Sequence, residues 1–393
     1  MRQGWEVKRL GDVCEKASSS VSQNQLANEK GDYPIYGASG FIKKVSFYHR
    51  DKDYISIVKD GAGIGRIALL KAYSSVIGTL QYLIPKEEID IHYLYYFLSS
   101  IDFYKYKVGS TIPHIYYKDY ADEPITVPPL FVQKSIVDTL NVAFAAFDKA
   151  KANTEQNIRN AREQFERYLQ SVFENKGENW EEKSLGDIAD IEYGYTDNSS
   201  TTGNFRYIRI TDIDKNGELI LEEKKYIQYS KEAENFLLKD KDLLMARTGA
   251  TFAKVLLYSN YEPSVFASYL IRINFTKKIE NELYWYFTKS KYYWEQANNL
   301  SSGAAQPHFN GAAVKQVMFP YPDSFEDQKL LIKRFEMFLT ETKKLEAIYL
   351  KKIDCLEELR KSILQKAFAG ELTANMQLEQ ENGTSIMPKA ANQ

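Results

Sequence analysis

The chain is written twice, and this duplication limits what it can fold into more than any other feature. Trp5-Glu6-Val7-Lys8-Arg9-Leu10-Gly11-Asp12-Val13 recurs as Trp180-Glu181-Glu182-Lys183-Ser184-Leu185-Gly186-Asp187-Ile188, at an offset of 175. Lys59-Asp60-Gly61-Ala62 matches Arg247-Thr248-Gly249-Ala250 at 188, and Leu94-Tyr95-Tyr96-Phe97 matches Leu283-Tyr284-Trp285-Tyr286 at 189. Gly109-Ser110-Thr111-Ile112-Pro113-His114 matches Gly303-Ala304-Ala305-Gln306-Pro307-His308 at 194. Gln133-Lys134 and Leu169-Gln170 find Gln328-Lys329 and Leu364-Gln365, both at 195. The offset only rises and the order is kept, so each step is an insertion in the second copy, a change that loops tolerate. A period near 190 residues is too long for a solenoid unit and fits a duplicated domain.

Each copy has two parts. Residues 1–130 and 179–325 mix short strand-like runs with turn residues. Tyr54-Ile55-Ser56-Ile57-Val58 and Arg66-Ile67-Ala68-Leu69-Leu70 flank a Gly-rich turn and read as strands, as do Tyr207–Ile210 and Leu270–Ile273. The Tyr-rich stretches 91–107 and 280–297 read as amphipathic helices. Residues 131–178 and 326–372 are different: they hold a helical period almost without Gly or Pro. Val137, Leu140, Phe144, Phe147, Lys151, Thr154, Ile158, Ala161, Phe165, Tyr168 and Val172 follow a 3-4 spacing. Ile332, Phe335, Leu339, Thr342, Glu346, Tyr349, Ile353, Leu356, Arg360, Ile363 and Ala367 repeat it. This is the heptad seam of a coiled coil. About 45 residues at 1.5 Å each make a rod of roughly 65–70 Å. Two such rods bury their seams most simply on each other, with the polar Lys151 and Glu346 at matched positions fixing register. Gly177 and Gly370 are expected to end the helices. Residues 373–393 are polar and patternless, and are expected to be disordered. The fold class is therefore mixed α/β (α+β), with two pseudo-repeated globular domains and two long coiled-coil helices.

No catalytic constellation is visible. Gly61-Ala62-Gly63-Ile64-Gly65 lacks dinucleotide spacing and precedes a strand, so it reads as a tight turn. No phosphate-binding P-loop motif occurs. Val127-Pro128-Pro129-Leu130 lacks the acid or amide and the aromatic of an amino-methyltransferase motif. Pro322-Asp323 with Asp327-Gln328-Lys329 packs its carboxylates into one turn before a helix, which suits a helix cap better than a nuclease centre. His49, His92, His114 and His308 show no metal-ligand spacing. Cys14 and Cys355, 341 positions apart, form no disulfide framework. No unbroken apolar run approaches a membrane span and no signal peptide is evident, so a soluble, cytoplasmic protein is expected.

What recurs instead is polar chemistry at matched loops. Lys59 pairs with Arg247 and Arg66 with Lys254, each pair flanking a glycine turn. Glycine lets a backbone approach phosphate closely, and cations bond it. The second recurrent loop carries Ser110, Thr111 and His114 in one copy and Gln306, His308 and Asn310 in the other, side chains suited to base edges or phosphates. The plainer alternative is that the glycines close hairpins and the cations are merely solvated.

These features together resemble one family: the specificity (S) subunits of type I restriction-modification enzymes. The two W-x-x-K-x-L-G-D openings carry the resemblance, with the G-S-T-I-P-H and G-A-A-Q-P-H loops and the proline-then-Gln-Lys openings of the long helices. It covers residues 1 to about 372. The second copy departs by splitting its double proline with Tyr321, and the first by placing Val132 before its glutamine. The resemblance implies a non-catalytic subunit whose two domains each read one half of a bipartite DNA site. It implies two long helices that pack antiparallel and set the spacer. Two methyltransferase subunits would dock, and restriction subunits would join. Leu331, Phe338, Leu345 and Leu359, outside the seam, are candidate docking residues; the alternative is contact with the chain's own domains. AdoMet, ATP and Mg²⁺ would belong to the partners. The alternative function is a coiled-coil adaptor that binds proteins and has no DNA role.

The charge balance bears on this. Residues 1–130 carry 16 basic and 15 acidic groups, 131–178 carry 7 and 7, 179–325 carry 17 and 20, and 326–393 carry 11 and 11. No part is strongly basic, so a grip on DNA by phosphate neutralisation alone is not expected. Tight binding is expected only in complex with partners that clasp the backbone.

Overall fold

The computed structural model describes residues 4–214, 216–259, 262–301 and 308–373. The chain divides into two compact units, Met1–Thr154 with Lys351–Gln393, and Glu155–Leu350. The division runs through both long helices, Leu130–Glu174 and Phe325–Phe368. Globular parts and rods are therefore not separate bodies: each unit holds one globular part and a portion of each helix. The expected tail at 373–393 lies, from residue 374 on, outside the described residues.

Among the described residues the first unit has nine strands: β1 (Glu6–Arg9), β2 (Cys14–Ser18), β3 (Tyr33–Gly37), β4 (Gly40–Val45), β5 (Tyr54–Val58), β6 (Ile67–Leu70), β7 (Ser75–Val76), β8 (Leu80–Pro85) and β9 (Pro124–Val127). The second has β10 (Trp180–Ser184), β11 (Ala189–Tyr193), β12 (Phe205–Ile208), β13 (Tyr226–Ile227), β14 (Leu243–Ala246), β15 (Val255–Leu257), β16 (Ser264–Phe266), β17 (Leu270–Phe275) and β18 (Met318–Pro322). Both build the same three sheets. One is four-stranded and antiparallel, β2-β8-β5-β6 and β11-β17-β14-β15. One is three-stranded with a parallel edge, β4-β3-β7 and β13-β12-β16. One is a two-stranded clasp, β1-β9 and β10-β18, with Glu6 opposite Val127 and Trp180 opposite Pro322.

That clasp gives the recurring W-x-x-K-x-L-G-D motif its reason. Its strand pairs with the strand that leads into the long helix, so each repeat is closed where it begins and ends. Leu10 donates its N–H to the Glu123 carbonyl and Leu185 to that of Val317, both at 2.9 Å. Both leucines are fully buried.

The recurring Gln-Lys pair also has a structural cause. Gln133 is fully buried at the start of its helix. Its Oε1 accepts from the Asp90 N–H at 2.8 Å, and its Nε2 donates to the carbonyls of Glu88 and Pro128. Gln328, equally buried, accepts from the Glu280 N–H at 2.9 Å and donates to the carbonyls of Lys278 and Pro322. One amide thus satisfies three backbone groups that burial would otherwise leave unpaired. It locks each long helix to the loop before the Tyr-rich helix of its own repeat.

The seam positions of both helices are buried or half-buried throughout. In the first unit Asp148 meets Arg360 at 3.3 Å and Lys151 meets Glu357 at 2.7 Å, so the helices run antiparallel there. In the second, Arg162 meets Glu346 at 2.9 Å, and the rings of Phe173 and Phe335 lie 5.9 Å apart, again antiparallel. Buried Thr154 and Thr342 satisfy their hydroxyls on the carbonyls of Ala150 and Phe338, one turn back. An 18-residue window of the first helix has mean hydropathy 1.3, enough to cross a membrane by length and composition alone, and a third of it is buried. Charged residues interrupt it, so no unbroken apolar run reveals it. Its Val132, Ile136, Val137, Leu140 and Phe144 lie in the core of the first unit.

Several local expectations give way. The stretch 91–107 is a helix only over Ile91–Ser100, because Asp102 caps a separate turn by accepting from the Tyr104 N–H. The stretch 280–297 is two helices, Asn281–Phe287 and Lys291–Leu300, split where Ser290 caps the second through the Tyr293 N–H. Gly370 ends its helix with φ +80, whereas the first helix stops at Glu174, three residues before Gly177. At the second long helix the cap is Ser324, whose Oγ accepts from the Asp327 N–H, rather than either aspartate.

Candidate nucleic-acid interface

The turn joining β5 to β6 starts with Lys59 and Gly61. Gly61 has φ +94 with open space around its Cα, a conformation that side chains rarely adopt. The Gly61 N–H donates to the Pro113 carbonyl at 2.8 Å, and the Ile115 N–H donates to the Lys59 carbonyl at 2.9 Å. These bonds bring the two recurrent loops together although more than fifty residues separate them. Across the join, His114 Nδ1 and Asp60 Oδ1 lie 2.7 Å apart. Lys59 Nζ stands 3.9 Å from the other Asp60 oxygen, and the Tyr116 ring lies nearly parallel to that of His114. Lys59, Asp60, His114 and Tyr116 form one partly exposed polar cluster. Thr111 is exposed farther along the same loop. Arg66 points elsewhere: its Nη1 donates to the Ala38 carbonyl at 3.2 Å, in the β3–β4 turn.

The second repeat makes the same join. Thr248 and His308 form an isolated bridge matching that of Asp60 and His114, and the Phe309 N–H donates to the Arg247 carbonyl at 2.8 Å. The side chains differ. Arg247 stacks over the Tyr193 ring at 4.6 Å and donates from Nη1 to the Ser268 carbonyl at 3.0 Å. Its Nε is buried without a hydrogen-bond partner among the described residues. His308 stands exposed. Asn310 is exposed too, but its Oδ1 accepts from the Ala313 N–H and so caps the short helix Gly311–Lys315. Gln306 lies outside the described residues. Lys254 does not join Arg247. It lines a cleft of about 470 Å³ with Arg162, Glu346, Trp285 and Lys289. In that cleft the Lys289 ammonium sits 3.9 Å from the Trp285 ring centroid and donates to the Asn216 carbonyl. Burial pushes its pKa down to about 8, against the pull of Glu218 and Asp214.

Among the described residues no group of three His, Cys, Asp or Glu side chains could hold a metal. The model of the type I restriction modification DNA specificity domain matches this chain twice, over residues 2–160 and 177–353. The chain belongs to this DNA specificity family. It is 24% identical to the type I restriction enzyme MjaVIII specificity subunit of Methanocaldococcus jannaschii, over 94% of this chain and 93% of that one. It is 26% identical to the StySPI specificity subunit of Salmonella potsdam, over 75% and 68%. A chain from a solved type I R-M system superposes with TM-score 0.72 at 16% identity, over 94% and 99%, and so shares the fold.

For a specificity-family chain, the four candidate docking residues split evenly. Leu331 and Phe338 pack into the core of the second unit, Phe338 with its ring 5.2 Å from that of Tyr168. Here the alternative, contact with the chain's own domain, holds. Leu345 and Leu359 are exposed, as are Met337, Ile348 and Leu350. Sequence reasoning missed Asp60, because an acid beside the cations of a candidate phosphate site runs against charge complementarity. It missed Tyr73 as well. That side chain is exposed at φ +56, an uncommon backbone for a bulky residue, and packs edge-on against Tyr48. The abundance of tyrosine was the only signal available.

Proposed function

We propose that this chain is the DNA-reading subunit of a type I restriction-modification assembly, and that it carries no catalytic residues of its own. Each repeat reads one half of a bipartite site through the joined loops around Lys59, His114 and Thr111 and around Arg247 and His308. The carrying observation is that the family domain occurs twice, with the same loop-to-loop join in each copy and different side chains on it. Unlike halves suit a target that is not a palindrome. The long antiparallel helices set the spacer, and exposed Leu345 and Leu359 offer apolar contact to methyltransferase subunits. Restriction subunits complete the assembly, which acts in the cytoplasm. AdoMet, ATP and Mg²⁺ belong to those partners.

The test is to sequence methylated adenines in cells expressing this chain with its methyltransferase subunit. A two-part motif with dissimilar halves is expected; methylation at no bipartite site overturns the reading and favours a protein-binding adaptor. Removing seven residues from each helix shortens a rod by about 10 Å, roughly three base pairs. The spacer should shrink accordingly while both half-sites stay the same. An unchanged spacer would refute the ruler.

A further inference from the structure

Among the described residues three ion pairs tie the long helices together: Asp148–Arg360, and two others, one in each compact unit, that the repeat relates to each other. Lys151 Nζ lies 2.7 Å from Glu357 Oε1. Arg162 grips Glu346 with both oxygens engaged, Nε to Oε1 at 2.9 Å and Nη2 to Oε2 at 3.0 Å. Under the 195-residue offset relating the helices, Lys151 corresponds to Glu346 and Arg162 corresponds to Glu357. The two pairs are therefore one contact of the duplicated helix, seen twice, with its polarity reversed. Both cations sit on the first helix and both anions on the second.

An apolar seam does not discriminate between two such helices, since aromatic and aliphatic side chains occupy it on both. The charges do. If the first helix packed in the same antiparallel register on the first helix of another copy, Lys151 would face Arg162 at both ends. Two second helices would set Glu346 against Glu357 at both ends. Lys343, which corresponds to Asp148, would also face Arg360 there.

We propose that this segregation of charge makes the pairing heterospecific: the first long helix accepts the second and rejects the first helix of another copy of this chain. Flanking charges set partner choice in coiled coils in this way, by repulsion in the wrong pair as much as by attraction in the right one. Each contact is partly exposed, and one alone is weak. At the two repeat-related contacts, exchanging two correct duplexes for one of each wrong kind converts four attractions into four repulsions, and the Asp148–Arg360 contact adds two of each. That disfavours the exchange by roughly a hundredfold. The inference concerns pairing alone and does not depend on what the repeats read.

The test uses the full chain with a protease site inserted between Glu174 and Trp180. Two preparations with different tags on the amino-terminal fragment are cut, mixed, unfolded in urea and refolded together. Native mass spectrometry counts the duplexes. In the wild type almost all should pair first helix with second, with tags freely mixed among partners. The double variant Arg162→Glu/Glu346→Arg keeps all three ion pairs of the correct duplex, so it folds as before. At the two repeat-related contacts each of its helices then carries one cation and one anion, and is complementary to itself. It should yield far more of the two homotypic duplexes than the wild type does, with the unchanged Asp148–Arg360 pair keeping the heterotypic duplex in excess. Wild-type fragments that scramble, or a double variant that stays as heterotypic as wild type, would overturn the proposal.

Discussion

In the first repeat His114 is held against Asp60, and Lys59 stands beside the same carboxylate. In the second, the residue across the bridge is Thr248, His308 stands exposed, and the cation is Arg247, pinned on Tyr193. The backbone under these side chains is the same in both. The Val58 N–H bonds the Arg66 carbonyl and the Ala246 N–H bonds that of Lys254; the Gly65 N–H bonds Val58, and the Ala253 N–H bonds Ala246. One hairpin-and-loop frame thus presents two chemistries. The difference teaches that the framework and the side chains it presents are separable here. Where both repeats carry the same frame residue its loss should cost the same in each, and where the residues differ the costs should differ.

The strongest way to break this comparison is at the helix joints. Gln133→Leu and Gln328→Leu each remove three hydrogen bonds and leave buried backbone groups unpaired. Each should cost about 3–5 kcal/mol, and the two costs should agree within about 1 kcal/mol. Denaturant melts measure both. A neutral result at either site would show that the joints are not equivalent.

Next in size is the turn itself. Gly65 has φ +78, and a methyl there would sit 2.5 Å from Phe103 Cβ. Gly65→Ala should cost about 2–4 kcal/mol through left-handed strain and a forced backbone shift. The matched residue of the second repeat is already alanine: Ala253, fully buried at φ +60. Ala253→Gly trades a buried methyl of about 1 kcal/mol against relief of similar strain, so its melting temperature should hardly move. If both substitutions cost alike, the turns are packed alike and the contrast is wrong.

Lys289 sharpens the comparison through pH, since its match at offset 189 is Ser100. Its folded pKa is pushed down to about 8, below the unfolded value. Between pH 8 and about 10 the unfolded chain binds the extra proton, so stability should rise with pH across that window. Lys289→Met should raise stability at pH 7 by about 1–2 kcal/mol and remove that rise. A variant whose stability still climbs between pH 8 and 10 would locate the titrating group elsewhere.

Much of the framework was legible in the sequence because it is periodic or repeated. Heptad spacing marks the long helices, and the matched glycine turns mark the hairpins. The glutamine joints were visible as a repeated pair, but their task was not: a buried amide bonding three distant carbonyl and amide groups leaves no local pattern. Leu331 and Phe338 lie outside a seam two positions wide, and that spacing alone leaves partner docking and contact with the chain's own domains both open. Each long helix packs on both its sister helix and its own globular part, so its buried stripe is wider. Asn310 reads as a base-reading amide in a loop, and only the following short helix shows that its oxygen caps. Arg66 and Lys254 occupy matched positions, yet they project to an adjoining turn and to a cleft beside the long helices. Matched sequence fixed their backbone, not their direction.

The smallest expected effect is at Lys59, a proposed phosphate contact. Among the described residues the partly exposed Lys59 ammonium has only the long 3.9 Å contact to Asp60, which leaves it available to a phosphate. In the methyltransferase-bound complex, Lys59→Ala should weaken binding a few-fold and flatten the slope of log K against log salt by about one contact. Asp60→Asn should act with the opposite sign, because it removes an anion from the same cluster. Lys254→Ala, in the cleft, should change neither quantity. Because Lys59 belongs to the first repeat, its loss should leave discrimination at the other half-site intact, and binding to duplexes mutated in one half at a time measures that. If Lys59→Ala and Asp60→Asn shift affinity in the same direction, the cluster acts through the fold of the loops and not through charge, and the polar join of the first repeat is framework after all.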